Sequence, residues 1–582
     1  MKWDLSKLYQ GFNDPNLTRD ISNCKEGFAA LRAGIDIQKM NADALALMLK
    51  EWQKLTDLQI KTSNFVYLTL AVDSNNEAAK AMMDRIIELN IESEQFRSAL
   101  SRSLGNCSNL DELVKASPIL CEHAFLLKQL RDDATHVIDP TLEPTVLKMQ
   151  MTGGSSWEQL RDQLDSNLII PFEQNGAVEQ LPLSAIRALA YSPSAETRKR
   201  AYEAELAAYP RIEIPMAACL NGIKGEALTL IELRHFDTVL DTALHVSRMQ
   251  PEVLNALLTA MRESLPMFRR YFRLKAKLLG HEGPLPFYDL FAPVGDSSLS
   301  YTLDEARETL VRTMGQFSEK MSKFIDNAFT SRWIDTEPRA GKQGGAFCAG
   351  VHPLRMSYIM SNFDGSYSAV STLAHELGHA YHDSCLADTS VLLSDYPMPL
   401  AETASIFNET LLMEKTLEQA DRETKITLIE QQLSDAAQVI VDIMSRYLFE
   451  TAVIEARKTH ALSPKELCDI MKDAQLQTYG DGLDSEALHP YMWACKSHYY
   501  STAIHFYNFP YAFGQLFALG LYQRYRQNPD AFLEEYDELL RRSGTGDVTQ
   551  VAASVGIDVS NPDFWRSSLK YLENKLEQLE SL

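Results

Sequence analysis

The stretch TLAHELGHAYHDS, residues 372–384, places His375, Glu376, His379 and His382 within eight residues, whereas the 13 histidines of the chain are otherwise spread thinly over 582 positions. On an α-helix, residues four apart stand one turn above each other on the same face, so His375 and His379 can aim two imidazoles at one point. Zn²⁺ accepts histidine nitrogens at ~2.0–2.1 Å, a geometry that suits such a pair. Glu376 follows one position on, rotated by about 100°. Its carboxylate is therefore beside the ion without being forced onto it, which is where a general base for a metal-activated water belongs. His382 is a different case, because a helix rises about 10.5 Å between residues 375 and 382, too far for both rings to reach one ion. A metzincin-type site would need Gly at 382 and His at 385, and this chain has His382 and Cys385. His382 is read as a packing or outer residue.

A third ligand has to come from another element, and PMPLAETASIFNETLL offers it. Glu402 follows His379 with 22 residues between, room for the first helix to finish, turn and return antiparallel. Glu409 lies two turns further on a similar face and is assigned as the outer carboxylate that orients a histidine ring. Two histidines (His375, His379) and Glu402 leave one coordination position for water, whose pKa falls to ~7 in zinc hydrolases. Glu376 could take its proton and later pass it to a leaving amine. The chemistry this pattern predicts is amide hydrolysis with one zinc ion per chain.

The rest of the chain has to position these groups. With 45% hydrophobic and 23% charged residues it reads as a folded globular protein. Most of it carries apolar residues at three- and four-residue spacing, the mark of amphipathic helices. Between Ala401 and Ser463 there is neither Gly nor Pro, which predicts two or three long helices joined by polar turns such as EQADRETK. Residues 1–190 read as an all-helical lobe, with Ser194 placed to cap the next helix, and 191–582 as the catalytic domain. One region breaks the pattern: GKQGGAFCAGVHPLRMSYIMSNFDGS, residues 341–366, predicts short strands just before the histidine helix.

The formal charge of -23 argues against nucleic acid and anionic membrane surfaces as partners. The start MKWDLSKLYQGFNDP has no apolar run of a secretory signal. The longest apolar candidate, FYNFPYAFGQLFALGLY, is interrupted by Asn508, Pro510 and Gln515 and reads as a buried aromatic segment. Eight cysteines without a C-x-x-C pair fit free thiols in a reducing cytoplasm.

The motifs GGAFCAG, SNFDGSYSAVSTLAHELGHAYHD, LAETASIFNE and SHYYSTAIHFYNFPYAFGQLFALGLY, with echoes in GGSSWEQLRDQL and GIDVSNPDFW, resemble those of the oligoendopeptidase F and thimet oligopeptidase family of zinc endopeptidases, the oligoendopeptidase F branch more closely. The resemblance implies a mostly α-helical, two-lobed zincin of gluzincin type, HExxH plus Glu, with a small β-sheet beside the active-site helix and a deep central channel that admits short unfolded oligopeptides. It supports Glu402 as third ligand. It also implies that a histidine and tyrosines of residues 497–511 hold substrate and stabilise the oxyanion; His498, Tyr507 and Tyr511 are favoured, with His505 in reserve. A donor at a developing oxyanion is worth a few kcal/mol. The strand run MSYIMSNFDG is expected to offer its edge to an extended substrate. Rival readings are a gluzincin aminopeptidase, a carboxydipeptidase of the same wider family, and a noncatalytic peptide-binding chaperone, for which Glu376 would have no use.

Overall fold

The computed structural model describes residues 1–36, 40–174, 176–295 and 299–582. It is mostly helical with two small sheets, as the spacing of apolar residues predicts. The chain forms two compact units: Met1–Val137 with Leu299–Thr416 and Arg524–Ile557, and Ile138–Ser298 with Leu417–Gln523 and Asp558–Leu582. Packing thus divides the chain differently from a single cut at residue 190, which lies inside the second unit.

In the first unit, three long helices, Pro15–Ala33, Ala42–Val72 and Glu77–Gly105, pack against one another. Each begins at a side-chain cap: Asp14, Asn41 and Asn76 accept from the backbone N–H groups of Asn16, Ala44 and Ala79. Their apolar faces meet in a core that includes Phe28, Leu49, Trp52, Phe96 and Leu100. Trp52 meets Phe96 edge-on at 5.4 Å between centroids, a contact worth ~0.5–1.5 kcal/mol beyond the area it buries.

The three-stranded sheet of this unit lies in the predicted Gly-rich region. Met356–Met360 is its central strand, antiparallel to Phe347–Val351 and parallel to Ile334–Asp335. All five residues of MSYIM are buried, the continuous apolar run of a strand covered on both faces. This corrects the expectation that MSYIMSNFDG offers its edge to a peptide: Met356–Met360 has a partner on each side, and Ile334–Asp335 and Phe347–Val351 are the outer strands. Buried Asp335 fastens the preceding loop by accepting from Arg339 Nη1 at 2.7 Å and Lys342 Nζ at 2.8 Å, and Lys342 also donates to the Ser361 carbonyl at 2.6 Å.

The second unit contains Gly154–Ser166, Glu213–Leu233, Pro251–Leu278, Pro464–Tyr479 and Pro562–Ser581 among its helices. Ser194 caps Ala195–Ala208 by accepting from Thr197 N at 3.2 Å. The Gly- and Pro-free stretch resolves as predicted. Thr403–Gln419 ends, Asp421 caps Arg422–Ala437, and this helix runs through a π turn, Gln438–Asp442, into Ile443–Arg457. One sheet was not foreseen: Ile169–Gln174 pairs antiparallel with Ala177–Pro182, inside the stretch expected to be all-helical. Its signal is the Asn-Gly pair at 175–176 between two apolar-containing runs, and Gly176 takes φ +78°. Among the described residues no helix is long and apolar enough to cross a membrane, and all eight cysteines are free.

Candidate metal centre

The helix Tyr367–Leu386 is started by its own loop. Asp364 accepts from the backbone N–H and hydroxyl of Ser366, and Ser366 in turn accepts from Ala369 N at 3.1 Å. Gly365 before it holds φ +88° with the Tyr301 carbonyl 3.0 Å from where a Cβ would stand, so the turn excludes larger residues. The helix presents His375 and His379 on one face and keeps Glu376 buried.

Glu402 reaches them from a joint and not from within a helix. It closes the short helix Met398–Ala401 with φ -84°, ψ 4°, just ahead of Thr403–Gln419. Two contacts bring that joint onto the histidine helix. Gly378 lacks the Cβ that would lie 2.5 Å from the Ala404 carbonyl oxygen and 2.6 Å from Ser405 Cα. Buried Asn408 donates from Nδ2 to the Ala374 carbonyl at 3.3 Å. Ser405 donates to Glu402 Oε2 at 2.8 Å and fixes its rotamer.

The result is a cluster of three donor atoms. His375 Nε2 and His379 Nε2 are 3.1 Å apart, and Glu402 Oε2 is 3.3 Å from the first and 3.6 Å from the second. Ligands at ~2.0–2.1 Å in a tetrahedral zinc site stand about 3.3–3.4 Å from one another, so the three residues fit such an ion. The outer contacts fit as well. Glu409 Oε1 faces His375 Nδ1, which places the ring proton there and leaves the Nε2 lone pair directed at the cluster. His379 is held by a hydrogen bond with the Ala401 backbone.

Charge follows from these neighbours. Burial lowers the His375 imidazole, but Glu402 and Glu409 outweigh it and raise it to about 10. His379 falls to about 4 through burial, with His375 adding to the fall against Glu402. Glu376 is raised to about 7, by burial first and then by Glu402 and Glu409, against His375. Burial would raise Glu402 too, yet the hydrogen bond with His375 and the charges of both histidines bring it down to about 2. His382 lies outside the cluster: fully buried, it stacks on Tyr396 at 4.2 Å and pairs through Nε2 with Ser543 Oγ at 2.7 Å.

The late His/Tyr segment belongs to the second unit and divides by burial. Tyr499, Tyr500 and His505 are buried, while His498, Tyr507 and Tyr511 are half-buried. The latter three form one group, with His498 stacked on Tyr507 at 5.2 Å and the Tyr507 and Tyr511 hydroxyls 2.8 Å apart. His505 instead turns its Nδ1 to Lys224 Nζ at 3.2 Å. Lys224 donates to Glu450 Oε1 at 2.6 Å, and Glu450 Oε2 accepts from Phe506 N, whose φ is +51°. One turn earlier Arg446 donates to Asn508 Oδ1 at 2.9 Å. Sequence reasoning missed Lys224, Glu450 and Arg446, since nothing local marks a helix charge as the anchor of a distant loop. Gly378, Ser405 and Asn408 were missed too, though a Gly inside a helix is itself a sign of close approach.

The model of peptidase family M3 matches residues 188–571. Group B oligopeptidase PepB of Streptococcus agalactiae is 24% identical over 82% of this chain and 79% of its own length. A Chlamydophila abortus protein of known structure superposes with TM-score 0.86 at 22% identity, covering 100% of this chain and 98% of that one. Oligoendopeptidase-F from Enterococcus faecium superposes with TM-score 0.68 at 18% identity over 97% of both chains.

Proposed function

The chain belongs to peptidase family M3, and from that premise we propose that it is a zinc-dependent endopeptidase that hydrolyses internal bonds of short unfolded oligopeptides in the cytoplasm. The observation that carries the reading is the donor cluster of His375, His379 and Glu402, with atoms 3.1 to 3.6 Å apart and Glu376 one residue from the first ligand. When bound, Zn²⁺ would supply Lewis acidity to water and to the scissile carbonyl.

The chain's own groups do the rest. Glu376 accepts a proton from the attacking water on its carboxylate and returns it to the amine nitrogen as the C–N bond breaks; the second water proton follows from the new carboxyl group, so that one water and one amide become a carboxylate and an ammonium. Glu409 keeps the His375 ring in the tautomer that a ligand requires. His498, Tyr507 and Tyr511 are assigned as donors to the developing oxyanion, a role that the partly accessible His498/Tyr507/Tyr511 group supports and buried His505 does not. In this reading residues 191–582 carry the catalytic groups, in keeping with a family match that begins at residue 188.

The test is Glu376→Gln, assayed with peptides blocked at both ends. The variant should hold zinc by elemental analysis at the parental ratio and bind peptide, while turnover, followed by mass spectrometry of products, falls by at least about a hundredfold. Hydrolysis at the parental rate would overturn the mechanism. Cleavage by the parent of free-ended but not of blocked peptides would make it a carboxydipeptidase instead.

A further inference from the structure

We propose that a cavity in the second unit, remote in sequence from the HExxH motif, binds a small organic carboxylate with an aromatic or aliphatic body. The cavity holds about 410 Å³ and opens beside the helices Leu183–Ala188 and Ala195–Ala208, within the range of sites that accept small ligands, ~300–1,000 Å³. Its apolar wall is aromatic: Tyr191, Tyr202, Phe287, Tyr288 and Phe291 line it. Several of these rings support one another, with Tyr191 and Phe291 5.1 Å apart and Tyr202 and Tyr288 5.6 Å apart.

The charge among the remaining lining residues does not balance. Arg198 is paired with Asp289 at 2.6 Å, and Arg187 with Glu205 at 2.5 Å. The same oxygen, Glu205 Oε1, also accepts from the Tyr209 hydroxyl at 2.7 Å and faces His489 Nε2 at 3.2 Å, so Arg187 and His489 share this carboxylate. The third cation, Lys496, has no hydrogen-bond or ion-pair partner among the described residues. The carboxylate that acts on it electrostatically, Asp442, is held by Arg446. Burial keeps the Lys496 ammonium below its usual range, as it should for a charge whose counter-ion is missing. One uncompensated cation facing an aromatic cavity matches one carboxylate on an apolar body; a phosphate dianion would need two free cations.

Two sources share this chemistry, a free organic acid and the C-terminus of a peptide. The site stands independently of the peptidase reading, because none of its residues belongs to the donor cluster.

Calorimetric titration of metal-free, chelator-treated protein tests it, since no metal can then hold a carboxylate elsewhere. N-acetyl-phenylalanine should bind at least about tenfold tighter than its neutral amide. Lys496→Met should reduce the acid to the level of the amide, and Lys496→Arg should retain the difference. Ala188→Trp, an exposed rim position that needs no repacking, should exclude both. A peptide ending in phenylalanine that binds as well as the acid identifies the source as a peptide terminus, and one that does not identifies a free acid. Equal binding of acid and amide, parental affinity in a folded Lys496→Met protein, or no heat from the acid at millimolar concentration would overturn the proposal.

Discussion

Replacing Gly378 by alanine exchanges one hydrogen for a methyl group and should dismantle the donor cluster without touching a ligand. The new Cβ would lie 2.5 Å from the Ala404 carbonyl oxygen, 2.6 Å from Ser405 Cα and 2.8 Å from the Ala404 carbonyl carbon, whereas ordinary contact begins near 3.4 Å. All three atoms are backbone, so no side chain can rotate aside, and one helix must retreat by roughly 1 Å. Glu402 is two residues from Ala404 and would move with it. Its Oε2, now 3.3 Å from His375 Nε2, would stand about 1 Å beyond the spacing that ~2.0–2.1 Å bonds to a common ion allow. Overpacking of this kind costs ~1–3 kcal/mol, and at 1.4 kcal/mol per factor of ten a zinc affinity about tenfold to a hundredfold weaker is expected. Competition against a chromophoric chelator measures the affinity, with circular dichroism to establish that the helices persist. Parental zinc affinity together with parental thermal stability in Gly378→Ala would refute the argument that this contact sets the position of Glu402.

Glu409→Ala removes the acceptor from His375 Nδ1 and should weaken zinc binding by ~10- to 100-fold, with Glu409→Gln recovering part of the loss in the same competition assay. Lys224→Met leaves Glu450 buried without its counter-ion, their side chains being only 1% and 3% exposed, and should lower stability by about 3–5 kcal/mol in urea unfolding. Restoration of most of that loss by adding Glu450→Gln would identify the stranded charge as its cause. Glu205 is brought down to about 2, against burial, by His489, Arg187 and Tyr209. Its folded value lies below its unfolded one, so its stabilisation is full above about pH 4.5 and is lost as pH falls towards 2. The decline of stability across that window should be shallower in Glu205→Gln, and an unchanged slope would contradict the assignment.

How much of this was legible beforehand depended on the range of the interaction. His375, Glu376 and His379 are a local pattern whose geometry a single helix enforces, and a return segment of suitable length was enough to single out Glu402. What the pattern could not carry was the joint: Glu402 sits between two helical pieces, at a spot set by the contact of Gly378 with Ala404 and Ser405. The strand MSYIM was recognisable from its apolar run, but its central place in the sheet depends on Ile334–Asp335, two residues too short to announce a strand. The hairpin at 169–182 escaped because its second strand, AVEQLP, is mostly exposed and lacks the alternation of a half-buried strand. The resemblance favours His498, Tyr507 and Tyr511 with His505 in reserve, and burial separates the same three from Tyr499, Tyr500 and His505.

The π turn at Gln438–Asp442 works as a phase adjuster. An inserted residue advances everything downstream by about 100° relative to an uninterrupted helix, and the residues so dialled into place are Arg446 and Glu450, the two posts to which Asn508 and Phe506 are tied. Excising a single residue there, Val439 for instance, would leave composition and helix content almost untouched while swinging both posts away from the segment they moor.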